Sequence, residues 1–153
     1  MAESWVDRLA KLFRQNDAVN AAVATSGDIE RFESKYGVKI PADWQNYFLR
    51  LNGTQAGWAG ADGPMEYGFW HLDQIKTMSE EEEIPDWPEP QHWFYFADYL
   101  IWSFCLAVKW TDSVTAAPEI LVELRETRRV IAHDMATIVA AFEREDFHFL
   151  AGE

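Results

Sequence analysis

The segment that decides the fold spans residues 28–53 and reads DIERFESKYGVKIPADWQNYFLRLNG. Its first half predicts a helix that Asp28 caps and that Gly37 ends. The apolar residues of this helix are spaced about one turn apart: Ile29, Phe32 and Tyr36. The second half predicts another helix, which starts at Pro41, where a missing N–H is tolerated, and ends at Asn52 and Gly53, which accept positive φ. Its apolar face consists of Trp44, Phe48 and Leu51. The segment therefore predicts a helical hairpin.

Length and composition favour one folded domain over residues 1–153. A chain of 153 residues can bury roughly 68–70% of its unfolded surface, and 48% of these residues are hydrophobic, which argues against global disorder. Charged residues interrupt the N-terminal stretch MAESWVDRLAKLF, where a signal peptide needs an apolar run. The most apolar stretch, residues 93–108, contains Asp98 and is shorter than the ~20 residues of a membrane span. We therefore expect a soluble, cytoplasmic protein.

The charge of the chain is strongly negative and unevenly distributed. The formal net charge is −13. Residues 51–108 contain ten acidic residues and a single basic residue, Lys76. Such a field repels nucleic acid and anionic membranes and attracts cationic partners. The alternative is that the acids are solvated and only maintain solubility.

The remaining sequence alternates from helix to strands and back to helix. Residues 4–15 predict an amphipathic helix, and residues 16–27 predict a linker. Strands are predicted at residues 68–72, 93–98, 101–109, 119–124 and 129–132. A final helix follows, capped by Asp134. The fold class is therefore predicted to be α+β, with helices at both ends of the chain and an antiparallel or mixed sheet of about five strands between them.

The wording of several segments resembles the SUKH superfamily. The hairpin follows the pattern I-x-x-F-E-x-x-Y-G and then I-P-x-D/E-[W/Y]-x-x-F-L-x-x-N-G. The matching positions are Ile29, Phe32, Glu33, Tyr36, Gly37, Pro41, Trp44, Phe48, Leu49, Asn52 and Gly53. The resemblance extends through FWHLDQI (residues 69–75) and FADYLIWS (residues 96–103) to the last helix, and covers roughly residues 28–145. Tyr99 and Leu100 stand where many members have glycine, so the turn between the second and third strands departs from the family pattern.

Residues that can carry catalysis or bind metal form no recognisable motif. The four histidines are widely separated and lack metal-ligand spacing: His71, His92, His133 and His148. Cys105 is the only cysteine and lies in an apolar stretch, where a thiol is usually a buried hydrophobe. Asp98 and Glu66 are the one carboxylate pair that a hydrolase reading would use. We therefore expect no enzymatic activity, no cofactor and no metal, with a carboxylate-dependent hydrolase as a remote alternative.

The tryptophans and the acidic segment, residues 79–91 (SEEEEIPDWPEPQ), provide the candidate binding residues. Four of the eight tryptophans lie on predicted apolar faces and are predicted to be core: Trp44, Trp70, Trp93 and Trp102. Trp58 and Trp87 lie in predicted loops, where packing or a partner must cover the ring. The acidic segment contains three prolines and predicts an exposed irregular loop. The predicted partner-binding residues are Trp58, Glu66, Glu80, Glu81, Glu82, Glu83, Asp86, Trp87 and Glu89.

The SUKH superfamily includes yeast regulators of cell-wall synthesis and many bacterial immunity proteins that neutralise toxins. Many of those toxins are nucleases with basic substrate grooves, which an acidic surface can attract and occlude. The resemblance therefore implies a non-enzymatic domain that binds a basic toxin, and the negative charge predicts no affinity for nucleic acid or membrane. A regulatory adaptor in signalling or wall synthesis is the alternative. The toxin, the docking face and the oligomeric state are left open by the sequence.

Overall fold

The computed structural model describes residues 3–81, 86–100, 102–114, 118–124 and 127–153. In these ranges the chain forms six α-helices and five β-strands, which confirms the predicted α+β class. The helices are α1 (Trp5–Gln15), α2 (Ser26–Tyr36), α3 (Ala42–Arg50), α4 (Met78–Glu81), α5 (Met135–Glu143) and α6 (Phe147–Leu150). The strands are β1 (Tyr67–Phe69), β2 (Trp93–Tyr99), β3 (Phe104–Lys109), β4 (Ile120–Leu124) and β5 (Thr127–Ala132). Single 3-10 turns cover Gly57–Ala59, Pro64–Glu66, Leu72–Gln74 and Pro90–His92.

The predicted helical hairpin is present as α2 and α3. The first helix begins earlier than predicted because Thr25, and not Asp28, is its N-cap. The Thr25 hydroxyl accepts a hydrogen bond from the Asp28 amide, and the Asp28 carboxylate accepts one from the Thr25 amide, which together form a capping box. Gly37 ends α2 in the left-handed conformation, as predicted. Pro41 occupies the N-cap of α3, just before the first helical residue.

The end of the hairpin is tied to the next segments through Asn52. Its Nδ2 donates to the carbonyl oxygen of Ala22 at 2.9 Å, and its Oδ1 accepts from the Leu72 amide at 2.8 Å. Asn52 and Gly53 both have positive φ, 52° and 83°, as predicted from the sequence. These contacts join the linker after α1, the hairpin and the segment after β1.

The five strands form an antiparallel meander in the order β1-β2-β3-β4-β5. The first predicted strand is shorter than expected, because only Tyr67–Phe69 pairs with β2 in regular register. Beyond it, the Trp70 amide donates to the Phe96 carbonyl at 2.8 Å, and Tyr95 donates to the Lys76 carbonyl at 3.0 Å. The third predicted strand begins at Phe104 and not at residue 101, since Trp102 lies in a turn. Residue 101 itself is outside the described ranges.

One face of the sheet, the inner face, packs against the helices through aromatic side chains. Phe69 of β1 lies 5.2 Å from Phe13 of α1 between ring centroids, and Phe94 lies 5.4 Å from Phe32 of α2. Phe96 of β2 lies 5.1 Å from Trp44 of α3. All six of these residues are buried. Burial of a Phe side chain contributes about 1.5–3 kcal/mol, so these rings stabilise the packing of the helices on the sheet.

The last two helices, α5 and α6, cover the inner face beside β1 and the end of β2. Asp134 caps α5 as predicted, since its Oδ1 accepts from the Thr137 amide at 2.8 Å. Phe142 then packs edge-on against Tyr67, with 4.9 Å between ring centroids. Phe147 of α6 contacts Tyr99 at 5.1 Å. None of the helices in the described ranges has the length and apolar composition that crossing a bilayer requires.

Candidate functional site

The face of the sheet opposite the helices, the outer face, holds a cluster of polar and aromatic side chains. Alternation along β2 places Tyr95 on the outer face, because its neighbours Phe94 and Phe96 contact the helices. A β-bulge between Tyr95 and Ala97 shifts this alternation by one residue. Asp98 therefore falls on the outer face together with Tyr95.

Asp98 is fully buried and accepts two hydrogen bonds. Its Oδ1 accepts from the indole Nε1 of Trp70 at 2.7 Å, and its Oδ2 accepts from the backbone amide of Trp102 at 2.9 Å. Burial raises the pKa of Asp98 above the usual aspartate value, although both hydrogen bonds oppose the shift. Both oxygens of the carboxylate thus bind tryptophan N–H groups, which is a structural role.

The turn after β2 exposes two large apolar side chains. Trp102 was predicted to be core, and this prediction is wrong: it is 40% exposed, and Leu100 beside it is 42% exposed. Both residues have positive φ, 43° for Leu100 and 72° for Trp102. A strand requires negative φ, so β2 ends before Leu100. The covered edge of the Trp102 ring packs against Trp70, with 4.9 Å between centroids, and against Tyr95 at 6.2 Å.

Trp58 lies in a loop that crosses β1 on the outer face. The loop comes so near to Gly68 that a Cβ there would lie 2.4 Å from the carbonyl oxygens of Gly57 and Gly60. The same Cβ would lie 3.5 Å from Oδ1 of Asp98, so the loop covers the outer face beside the carboxylate. Trp58 is 40% exposed, in agreement with its predicted place in a loop. We call Trp58, Leu100 and Trp102 the outer apolar surface.

The first described residues of the acidic segment have more regular structure than the sequence predicts. Glu80 and Glu81 lie in helix α4, and not in an irregular loop. The Glu80 carboxylate accepts from the Thr77 amide at 2.9 Å, while the Thr77 hydroxyl accepts from the Glu80 amide at 3.2 Å. Burial alone would raise the pKa of Glu80, but hydrogen bonds from Thr77 and Tyr36 outweigh it and lower the pKa. Glu81 forms an ion pair with Lys76 at 3.4 Å. Glu82 and Glu83 lie outside the described ranges.

The end of the acidic segment packs against the start of β2. Trp87 is partly buried, with its ring centroid 6.2 Å from that of Trp93. Glu89 forms an ion pair with Lys109 at 2.7 Å, and this pair lowers the pKa of Glu89. Asp86 is exposed. Trp87 and Glu89 therefore contact other parts of the fold, while the side chains of Asp86 and Glu89 are exposed.

Glu66 lies next to the outer apolar surface. Its side chain is exposed, and its carbonyl oxygen accepts from the Leu100 amide at 3.5 Å. The predicted hydrolase pair would join Glu66 to Asp98. Both oxygens of Asp98 are bonded to tryptophan N–H groups, so the geometry gives this pair no support as an acid and base. Glu66 instead adds a negative charge at the edge of the surface.

Farther along the outer face, a polar triad joins three strands. The Tyr95 hydroxyl donates to Oε1 of Glu123 at 2.9 Å, and Nε of Arg128 donates to the same oxygen at 2.7 Å. Both charged side chains are largely buried. Cys105, which pairs with Asp98 across β2 and β3, is also buried, and burial raises the pKa of its thiol. A thiol with a raised pKa is a poor nucleophile at neutral pH. The parts of the chain that the structure describes contain no cluster of three or more potential metal ligands.

Comparison with known proteins identifies the family. The model of the SMI1 / KNR4 family (SUKH-1) matches residues 23–139. The chain therefore belongs to this family, which confirms the resemblance that residues 28–145 display. No curated protein sequence matches the chain.

Proposed function

We propose that this SUKH-1 chain is a non-enzymatic protein-binding domain and serves as a bacterial immunity protein, which neutralises a cognate toxin by occluding it. The observation that carries the proposal is the outer apolar surface, where Trp58, Leu100 and Trp102 are each about 40% exposed. Exposed tryptophan with a buried supporting layer is typical of interaction hot spots, because the ring has a large apolar area and few rotamers to lose.

The charge of the chain supports a basic partner. The net charge of −13 raises the rate of encounter with a cationic surface, and like-charged molecules are repelled. Glu66 places one of these charges at the edge of the outer apolar surface. Glu80, Glu81 and Glu89 are engaged within the fold, so they contribute to the long-range field more than to direct contacts.

The mechanism that we propose has two steps. Long-range attraction first brings the basic groove of a toxin, such as a nuclease, towards the acidic side of the chain. Trp58 and Trp102 then enter apolar pockets at the margin of that groove, while Glu66 pairs with a basic side chain at the rim. The toxin is inactivated because its substrate can no longer enter.

A growth-rescue experiment tests the proposal. Candidate toxin domains from genes that neighbour the gene for this chain are each expressed in a bacterial host together with the parent chain or a variant. We expect the parent to restore growth and the double variant Trp58→Ala/Trp102→Ala to lose rescue. Leu49→Ala is the matched control, because Leu49 is 38% exposed but lies on α3, at the helical side of the molecule.

Two results would count against the proposal. Continued growth arrest in the presence of the folded parent chain would refute the immunity role. Full rescue by the double variant, or equal loss of rescue with Leu49→Ala, would remove the outer apolar surface from the mechanism.

A further inference from the structure

We infer that Asp98 is a positioning residue for the outer apolar surface: its buried carboxylate fixes both the backbone of Trp102 and the ring on which Trp102 rests. This inference rests on the proposed function and deepens it, since Asp98 itself is 0% exposed and cannot touch a partner. It assigns to one buried acid the conformation of an exposed binding residue.

The chemistry of the site requires two acceptors at this position. The indole N–H of Trp70 and the backbone N–H of Trp102 both point at Asp98, at 2.7 and 2.9 Å. A carboxylate accepts at both oxygens, whereas an asparagine would direct an NH₂ group at one of the two donors. Burying a carboxylate without a cation is costly, and Asp98 has no ion pair within the described ranges. Burial of Asp98 therefore costs free energy, and its structural effect is to fix the positions of Trp70 and Trp102.

The turn that Asp98 holds is strained. Leu100 and Trp102 both have left-handed backbone conformations, which cost about 1–2 kcal/mol for a residue with a Cβ. Such conformations persist only when surrounding contacts impose them. Here the contacts are the Asp98–Trp102 hydrogen bond and the bond from the Ser103 amide to the Tyr99 carbonyl at 3.0 Å.

The strain exposes apolar side chains that a regular strand would have buried or paired. Trp102 packs against Trp70 and Tyr95 and is 40% exposed. The same carboxylate bonds the indole of Trp70. It therefore constrains both the backbone of Trp102 and the Trp70 ring against which Trp102 packs. A ring fixed in this way loses little freedom when it enters a pocket, and affinity rises accordingly.

The first test uses the free protein. Amide hydrogen exchange should be at least tenfold slower at Trp102 than at Leu100, whose amide has only a long contact of 3.5 Å with Glu66. In protein labelled with 5-fluorotryptophan, Asp98→Asn should shift and broaden the ¹⁹F resonance of Trp102, assigned by its loss in Trp102→Phe. The resonances of Trp44 and Trp110 on the helical side should stay in place.

Ile138→Val is the matched control for lost stability, because Ile138 is buried in α5, away from the outer face. If Asp98→Asn does not fold, Trp70→Phe, which removes the indole donor and keeps a ring, provides the same comparison. Rapid exchange at the Trp102 amide, or an unchanged Trp102 resonance in the folded variant, would overturn the inference without affecting the proposed function.

The second test uses the toxin domain. We expect Asp98→Asn to weaken binding about tenfold, in proportion to the ordering cost of one large side chain. In a double-mutant cycle, Asp98→Asn should have less than a twofold effect once Trp102 is already alanine. Additive effects would overturn the inference, as would unchanged affinity in Asp98→Asn alongside weakened affinity in Trp102→Ala. Failure of the proposed function would differ from both, because the parent chain itself would not bind.

Discussion

Truncation of Trp102 to alanine should weaken toxin binding by about 70-fold. A tryptophan side chain can bury up to about 250 Å². Trp102 is 40% exposed, so about 100 Å² of its ring is available to a partner. At ~25 cal/mol per Å², complete burial of that area contributes about 2.5 kcal/mol to binding, which corresponds to about 70-fold in Kd. The buried area sets the scale of the loss in binding free energy, and ordering costs and the fit of the pocket add to it or subtract from it.

The assay is a calorimetric or surface-based titration at fixed salt, accompanied by urea denaturation of each free variant. Trp102→Ala also loses packing against Trp70 and Tyr95, so its unfolding midpoint should fall while the chain remains folded. Leu49→Ala, with 38% exposure on α3, should change affinity by less than twofold. The reasoning is refuted if Trp102→Ala changes Kd by less than about threefold, or if Leu49→Ala weakens binding to the same degree.

Three further predictions follow from single residues. Glu80→Ala should lower the free energy of unfolding at pH 7 by about 0.5–1 kcal/mol through loss of its capping bonds. Because the folded-state pKa of Glu80 lies below its usual 4.5, the difference from the parent should be complete above that pH and should shrink as acid is added in chemical denaturation. Gly53→Ala should destabilise the protein by at least about 2 kcal/mol, since the new Cβ would lie 2.5 Å from a β1 carbonyl oxygen. Gly37→Ala is the control: its new Cβ would have no atom within 4 Å, so a thermal melt should show a cost of only about 1 kcal/mol. Glu66→Gln should slow association with the toxin at low salt by a few-fold, and Glu30→Gln on α2 should not; equal on-rates in stopped-flow mixing would exclude local steering by Glu66.

The helical hairpin could be predicted from the sequence because its determinants are local. Gly37, Asn52 and Gly53 adopt the positive φ values that their side chains, or lack of one, make accessible. The start of α2 was also within reach of a local rule, since Thr25 and Asp28 have the T-x-x-D spacing of a capping box. Helix α5 was predicted for the same reason, from the spacing of its apolar residues and its N-cap, whereas the short helix α6 was not predicted.

The acidic segment shows how composition concealed a local signal. A run of glutamates followed by prolines predicts a solvated loop, and this prediction is wrong for Glu80 and Glu81. The pattern T-M-S-E at Thr77 and Glu80 is a capping box, which indicates a helix start. The pairing of Glu89 with Lys109 had no such signal, because it depends on where β3 lies relative to the acidic segment.

The exposure of Trp102 was out of reach of any local pattern. The residues from 101 to 109 form an apolar run, which is typical of a buried strand. Two non-local features interrupt it: the bulge in β2 that brings Asp98 to the outer face, and the bond from Trp70, which is 28 residues away in sequence. Many members of the superfamily have glycine where this chain has Tyr99 and Leu100, and Leu100 adopts a positive φ. The residues that depart from the family pattern thus lie at the candidate site, but only the structure shows their conformation and contacts.

The engagement of several acids within the fold changes how specificity must arise. An acidic chain of charge −13 attracts many basic proteins, and ionic screening at physiological salt limits that attraction to about 8 Å. Glu80 and Glu89 already contact Thr77 and Lys109, so part of their hydrogen-bonding capacity is used within the fold. Under the proposed function, discrimination among basic partners therefore depends on shape complementarity with exposed apolar residues such as those of the outer apolar surface. If this is correct, raising salt should slow association with all basic toxin domains alike, while substitutions at Trp102 should change which of them the chain retains.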